Sequence, residues 1–401
     1  MAFTMLHPNH IWAQTDAVYA PSARIEESSL NGLISNPIIQ SFDLSSDGKT
    51  VALLVVAGSK IDAPLWLVTE DVAARRVIAS HELRSSVFPA GGFAPQLRYT
   101  DDRQHLVVQD LRTIQVFDSK SLEPIRTIPP PSGGGILIPL FIAGATNSDV
   151  FVCAFGTEQK FNPHFHTTPV QVEVVDVSSG AVLGEWSSED VPQSISPNGD
   201  LIAVSSLQSQ QGVLPLTVVD THGQKVAELT VGYSFKDADT SKPLGRVLGL
   251  FVGNQELLLS PDENIDQTGH HSGDSLQLMS IIGKQAQVQQ SIKPRHYGPQ
   301  GELAVSADGR TALAVSWYVP ARFLARPEGR LPASSPDLLI FERGTNFKLA
   351  ASIPIHGFGL KASGWLENRR PRLSSDGSVI AIAQRSGVTV LSRNPLPSQH
   401  P

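Results

Sequence analysis

The hydrophobic pattern of the chain is one arrangement repeated. Short apolar stretches alternate with turn residues and show little of the three-to-four-residue spacing of helices. In seven places a short strand, a turn with Gly or Asn, and a second, more apolar strand follow one another. These are FDLSSDGKTVALLV from Phe42, LRYTDDRQHLVVQD from Leu97, FIAGATNSDVFVCAF from Phe141 and SISPNGDLIAVSS from Ser194, then LFVGNQELLLS from Leu250, LAVSADGRTALAVS from Leu303 and PRLSSDGSVIAIAQ from Pro371. Aligned on the first turn residue, the anchors are Asp47, Asp101, Asn147, Asn198, Gly253, Asp308 and Asp376. Read as two-residue turns, Asp-Gly and Asn-Gly supply the positive φ that a tight hairpin demands.

A third strand follows most copies and often ends in an acidic residue, as in LWLVTED, IQVFD, VEVVDVSSG, LTVVDTHG and LLIFERG. A fourth, more polar strand then leads to the next anchor. The second strands are apolar almost without interruption (VALLVV, LIAVSS, ALAVSW), the mark of a sheet buried on both faces. Four short antiparallel strands per repeat predict an all-β fold, a seven-bladed β-propeller of four-stranded antiparallel blades. The last repeat lacks a fourth strand at the C-terminus. An extended stretch, Ala17 to Ile25, is expected to supply it, so that the N-terminal arm closes the last blade. The expected organisation is an arm over 1–36, a propeller over 37–394 and a polar tail over 395–401.

The S-x-D-G turn, the strand pair and the D-x-x-x-G sequel, clearest in VVDVSSG at Val174 and VVDTHG at Val218, resemble the WD40-like and YVTN-type β-propellers. The resemblance runs over residues 37–394. There is no Trp-Asp dipeptide and no Gly-His pair at the blade starts, which brings the chain nearer the irregular bacterial propellers. That superfamily includes lactonases, quinoprotein subunits and plain binding proteins, so the resemblance implies a fold and not an activity.

Composition narrows the partners. The net charge is −7 and the pI is near 5.9, against a nucleic-acid binder working through bulk positive charge. The longest clean apolar stretch, Ile136 to Ala145, contains Pro139 and is too short to span a bilayer, so no membrane insertion is expected. One cysteine excludes an internal disulfide framework and a Cys-based zinc cage; Cys153, inside VFVCAF, reads as an inert core thiol. The first residues carry neither a basic n-region nor a long apolar core, yet Trp12-Ala13-Gln14 resembles the tail of a bacterial cleavage site. With the low charge and single cysteine, this gives the expectation of an extracytoplasmic protein, periplasmic or secreted, with its signal peptide absent or trimmed.

In such a blade the second-to-third and fourth-to-first connections share one face. The long connections, 127–140, 156–169, 232–246, 260–274, 317–336 and 356–370, all fall there, and long loops on a rigid scaffold are where function concentrates. They are mildly basic on an acidic body, which suits a polar or anionic ligand. Trp317 and Tyr318 followed by Arg322 and Arg326 form an aromatic and basic loop of the kind found at binding surfaces. His164 and His166, and the pair His270 and His271, are further candidate ligand-binding residues. Their spacing suits a metal, but a site needs three or four ligands and no partner is fixed by sequence, so neither a metal nor another cofactor is expected.

Gly273-Asp274-Ser275-Leu276 and Gly357-x-Gly359-x-x-Ala362 imitate a serine-hydrolase block and a dinucleotide fingerprint, but both lack the helix those motifs require. No nucleophile or acid–base pair can be assembled, so no catalytic residue is assigned. The expected function is non-catalytic binding or scaffolding, with the long-loop face presented to a protein, peptide or glycan. The alternative is a lactonase-like enzyme or a quinoprotein-type enzyme subunit with its site on the same face.

Overall fold

The computed structural model describes residues 19–58, 63–86, 95–100, 102–110, 112–131, 137–157, 170–205, 213–232, 246–262, 276–292, 298–317, 337–355, 371–384 and 386–394. Five of its hairpins are set by one side-chain device. In the first, Ser45 Oγ donates to Asp47 Oδ1 (2.7 Å) and accepts from the Thr50 amide (2.9 Å), while the Ser45 amide donates to the Thr50 carbonyl (2.9 Å). The same set recurs at Thr100–Asp102–His105, Ser196–Asn198–Leu201, Ser306–Asp308–Thr311 and Ser374–Asp376–Val379. These side chains compete with water for the turn's own amides, which is why Ser, Thr, Asp and Asn recur there.

This geometry corrects the two-residue turn expected from sequence. The loop spans four residues, 46–49 in the first blade, and the positive φ falls on the third: Gly48 (+71°), Gly199 (+84°), Gly309 (+67°) and Gly377 (+68°). The acidic anchor holds the loop and the glycine bends it. In the second blade the residue in the anchor position is Asp102, one place after Asp101, and Arg103 takes the positive φ (+62°). A two-residue turn does occur in the fifth blade, where Gly253 pairs with Glu256.

The described residues form twenty-eight strands. The first blade is typical, with strands Pro37–Leu44, Thr50–Ala57, Pro64–Asp71 and Arg76–Ser86 in antiparallel order. Five sheets have four strands and one has eight; the eight-stranded sheet is two four-stranded meanders, over 191–232 and 246–292, joined by the single parallel bridge Glu228–Gln285. Taken as meanders, the blades lie within 37–86, 96–128, 137–188, 191–232, 246–292, 298–354 and 372–393, numbered one to seven below.

The core is divided in the same way. Seven apolar clusters each lie between two consecutive blades, and the last of them joins blade seven to blade one. Strand Thr50–Ala57 shows why: Val51, Leu53 and Val55 point to blade seven, and Ala52, Leu54 and Val56 to blade two. Successive side chains alternate across a strand, so a continuous apolar run feeds two cores at once. Cys153 belongs to the cluster between blades two and three, fully buried.

The ring is closed by the N-terminus. Strand Tyr19–Glu26 runs antiparallel to Gly387–Arg393 as the outermost strand of blade seven, beside Val379–Gln384 and Arg372–Leu373. This is the stretch expected from sequence at Ala17 to Ile25, seen here from Tyr19, the first described residue. The arrangement is a β-propeller.

Candidate functional site: the central channel

The eight residues assigned to ligand binding from sequence lie almost wholly outside the described residues. Tyr318, Arg322, Arg326, His164, His166, His270 and His271 are outside; Trp317 ends strand Thr311–Trp317, and only its backbone is described. The strand ends still fix the faces. Second-to-third and fourth-to-first connections leave from one side of the disc, and the four-residue loops lie on the other.

What the described residues do assemble is a central channel. The first strand of every blade is the inner edge of its sheet, and residues from all seven line one space of about 220 Å³. At one level the equivalent positions are Asp43, Arg98, Ala143, Ser194, Leu250, Ala304 and Arg372, each lining that space. The polar arc is formed by blades seven, one and two, while blades three to six contribute small or apolar groups.

Asp43 ties the polar arc together. Its Oδ1 lies 3.2 Å from Arg372 Nε of blade seven, and its Oδ2 accepts the Tyr99 amide of blade two at 2.7 Å. The Arg372 guanidinium also stacks over Phe42, 5.9 Å from the ring centre. A carboxylate this deeply buried requires such partners, since an isolated buried charge is strongly unfavourable. On blade four, Gln193 lines the channel with its Oε1 buried and without a hydrogen-bond partner among the described residues, an acceptor available to a bound donor. Elsewhere first and second strands lace neighbouring blades: Gln96 and Gln109 donate to the carbonyls of Leu140 and Pro139, and Ser194 to that of Gly249.

The channel offers hydrogen bonds and fixed charge rather than an activated nucleophile. The Tyr99 hydroxyl is raised by burial and by the nearby carboxylates Asp43 and Asp47, so it stays protonated at neutral pH. Burial, with a smaller contribution from Glu173, likewise raises the Cys153 thiol, which packs as a small apolar side chain.

Glu173 itself titrates in an unusual range. It is 4% exposed and faces Glu185 across the strand pair; burial first, then repulsion from Glu185, push its carboxyl from 4.5 up to about 7. A folded value above the unfolded one means that the fold favours the protonated form. That contribution is fully present below about pH 4.3, the ordinary carboxylate range, and is lost as pH rises through about 7. Glu173→Gln is therefore expected to melt higher than the wild type at pH 8 and close to it at pH 5. Parallel melting curves of equal separation at both pH values would contradict this.

The channel residues were missed in the sequence, although a signal exists. Asp43, Arg98, Ser194 and Arg372 each stand two places before the Ser or Thr that opens the hairpin loop. A charged residue there interrupts an otherwise apolar strand, which identifies a position facing neither blade–blade core.

No protein-family model matches the chain, and no curated protein matches its sequence. Solved structures do match. A chain of the hydrazine synthase of Kuenenia stuttgartiensis aligns with a TM-score of 0.54 and 14% identity over 90% of this chain and 97% of that one. A chain of the mitotic checkpoint complex aligns at 0.53 and 13% identity over 98% of both chains. The C-terminal WD40 domain of Sif2 aligns at 0.47 and 12% identity, over 90% of this chain and 83% of that one. At these identities the likeness is one of fold alone. Among the described residues no helix is long and apolar enough to cross a membrane.

Proposed function

We propose that the chain is a non-catalytic propeller that binds or scaffolds a protein or peptide partner through its long-connection face. The observation that supports this most is the asymmetry of the disc. Five loops of the tight-turn face are held by their own Ser, Thr, Asp and Asn side chains, and several are bonded to a neighbouring loop, as in Asn147 N–H to the Pro197 carbonyl and Ser375 N–H to the Ser46 carbonyl. The connections that leave from the other side are the long ones in the sequence, and the one that follows strand Thr311–Trp317 contains Tyr318, Arg322 and Arg326, residue types that anchor protein interfaces. A rigid ring with variable loops on one side is a binding scaffold in physical terms.

The test is affinity capture with chemical cross-linking from the native source, repeated with two variants. The triple variant Trp317→Ala, Arg322→Glu, Arg326→Glu is expected to lose the captured partner. Lys120→Glu, exposed on the tight-turn face, is expected to keep it. A partner retained by the first variant and lost by the second would overturn the reading, as would a turnover that the triple variant abolishes without unfolding.

A further inference from the structure

Among the described residues one group of three His and Asp side chains could hold a metal ion, and it sits where blades two and three meet on the tight-turn face. In five blades the residue that closes the hairpin loop is Thr50, Val150, Leu201, Thr311 or Val379; in blade two it is His105. In blade three the residue just before the closing Val150 is Asp149. The His and the Asp come from neighbouring blades, and Asp102 of the blade-two loop joins them. One ligand atom from each of Asp102, His105 and Asp149 lies within 4.8 Å of the other two, with His105 Nδ1 3.8 Å from Asp102 Oδ2.

The donors are held. Asp102 Oδ1 accepts from Thr100 Oγ1 (2.5 Å) and the Gln104 amide (2.8 Å), which leaves Oδ2 directed at His105. Ser178 Oγ donates to the Asp149 carboxylate. His105 Nδ1 is buried and has no hydrogen-bond partner among the described residues, and neither has the buried Oγ of Ser148, the residue before Asp149. An unpartnered buried polar atom costs about 1–3 kcal/mol, which a ligand at His105 Nδ1 would offset. No hydrogen bond between described residues joins loop 102–104 to loop 146–149, whereas the loops of blades three and four and of blades seven and one are bonded directly.

We propose that Asp102, His105 and Asp149 bind a divalent transition-metal ion, with zinc as the best match, as a clamp between blades two and three. One imidazole and two carboxylates suit zinc with a water in the fourth position, and a nitrogen donor disfavours calcium and magnesium. Because the two halves of the site sit on different blades, the ion binds the closed ring and not the unfolded chain, and so stabilises it by mass action.

The experiment uses the full chain, stripped with EDTA and titrated with zinc chloride, followed by calorimetry and thermal melting. The expected result is a rise in melting temperature and a binding equivalent that disappears in Asp149→Asn and in His105→Ala. That equivalent is retained when His164, His166, His270 and His271 are all changed to Ala, and magnesium chloride gives no shift. Asp149→Asn is nearly isosteric, so it decides the matter if His105→Ala fails to fold. Zinc binding that survives Asp149→Asn, vanishes with the four loop histidines, or does not occur at all would overturn the proposal.

Discussion

Deleting residues 1–30 is expected to lower the melting temperature by about 10–20 °C and to expose the chain to aggregation. Tyr19–Glu26 is hydrogen-bonded along Gly387–Arg393, from the pair Tyr19–Arg393 to the pair Glu26–Gly387. Ile25 and Leu30 enter the cluster between blades seven and one, Tyr19 enters the one between blades six and seven, and the Tyr19 hydroxyl donates to the Gly377 carbonyl at 2.5 Å. Three large buried side chains contribute about 1.5–3 kcal/mol each, which together rivals the net stability of a typical protein. For a domain of this size each kcal/mol moves the midpoint by about 2–4 °C. A chain shortened by residues 1–16 alone loses none of the described contacts and serves as the comparison. The role of the arm is refuted if the longer deletion melts within about 3 °C of the full chain and stays monomeric. Addition of a peptide spanning 17–30 is expected to restore much of the loss.

Gly309→Ala is expected to cost about 3–5 kcal/mol, and Gly283→Ala only about 1–2 kcal/mol, although the two glycines have nearly the same backbone conformation. Gly309 has φ +67° and Gly283 φ +63°, so the left-handed strain of an alanine is common to both. Their surroundings differ. A Cβ on Gly309 would lie 2.2 Å from the Val252 carbonyl oxygen of blade five, backbone that can move only if the blades move, while a Cβ on Gly283 meets nothing within 4 Å. Urea melts of the two variants measure the difference. Equal losses would mean that turn strain alone sets the cost and that the inter-blade approach at Gly309 is soft.

The repeat was legible because it is written in local chemistry. A loop that needs a Ser or Thr, an Asp or Asn two places later and then a glycine announces itself wherever it occurs. A strand apolar on both faces announces burial on both sides. The error of one residue at Asp101 has a physical cause. Blade two has no glycine in its loop, so the alignment lost its reference, and Arg103 takes the positive φ while its Nη1 reaches Asp47 Oδ2 of blade one at 3.1 Å. The turn length was misjudged for a related reason: an Asp-Gly pair reads as a two-residue hairpin unless the serine before it is seen to bond across the loop.

The sites divide along the same line. By itself the sequence determined the strand content, the repeat of four-stranded antiparallel units and the buried thiol, because each depends on residues near one another in the chain; it also showed the N-terminal stretch that completes the last blade, because that blade lacks a strand of its own. Tertiary structure alone decided that Asp43, Arg98 and Arg372 share one channel, Asp43 and Arg372 being 329 positions apart in the chain with 3.2 Å between their side chains in space. It alone brought His105 to Asp149 across a blade junction. Ring closure converts sequence distance into contact through the packing of whole blades, and no local pattern carries that information.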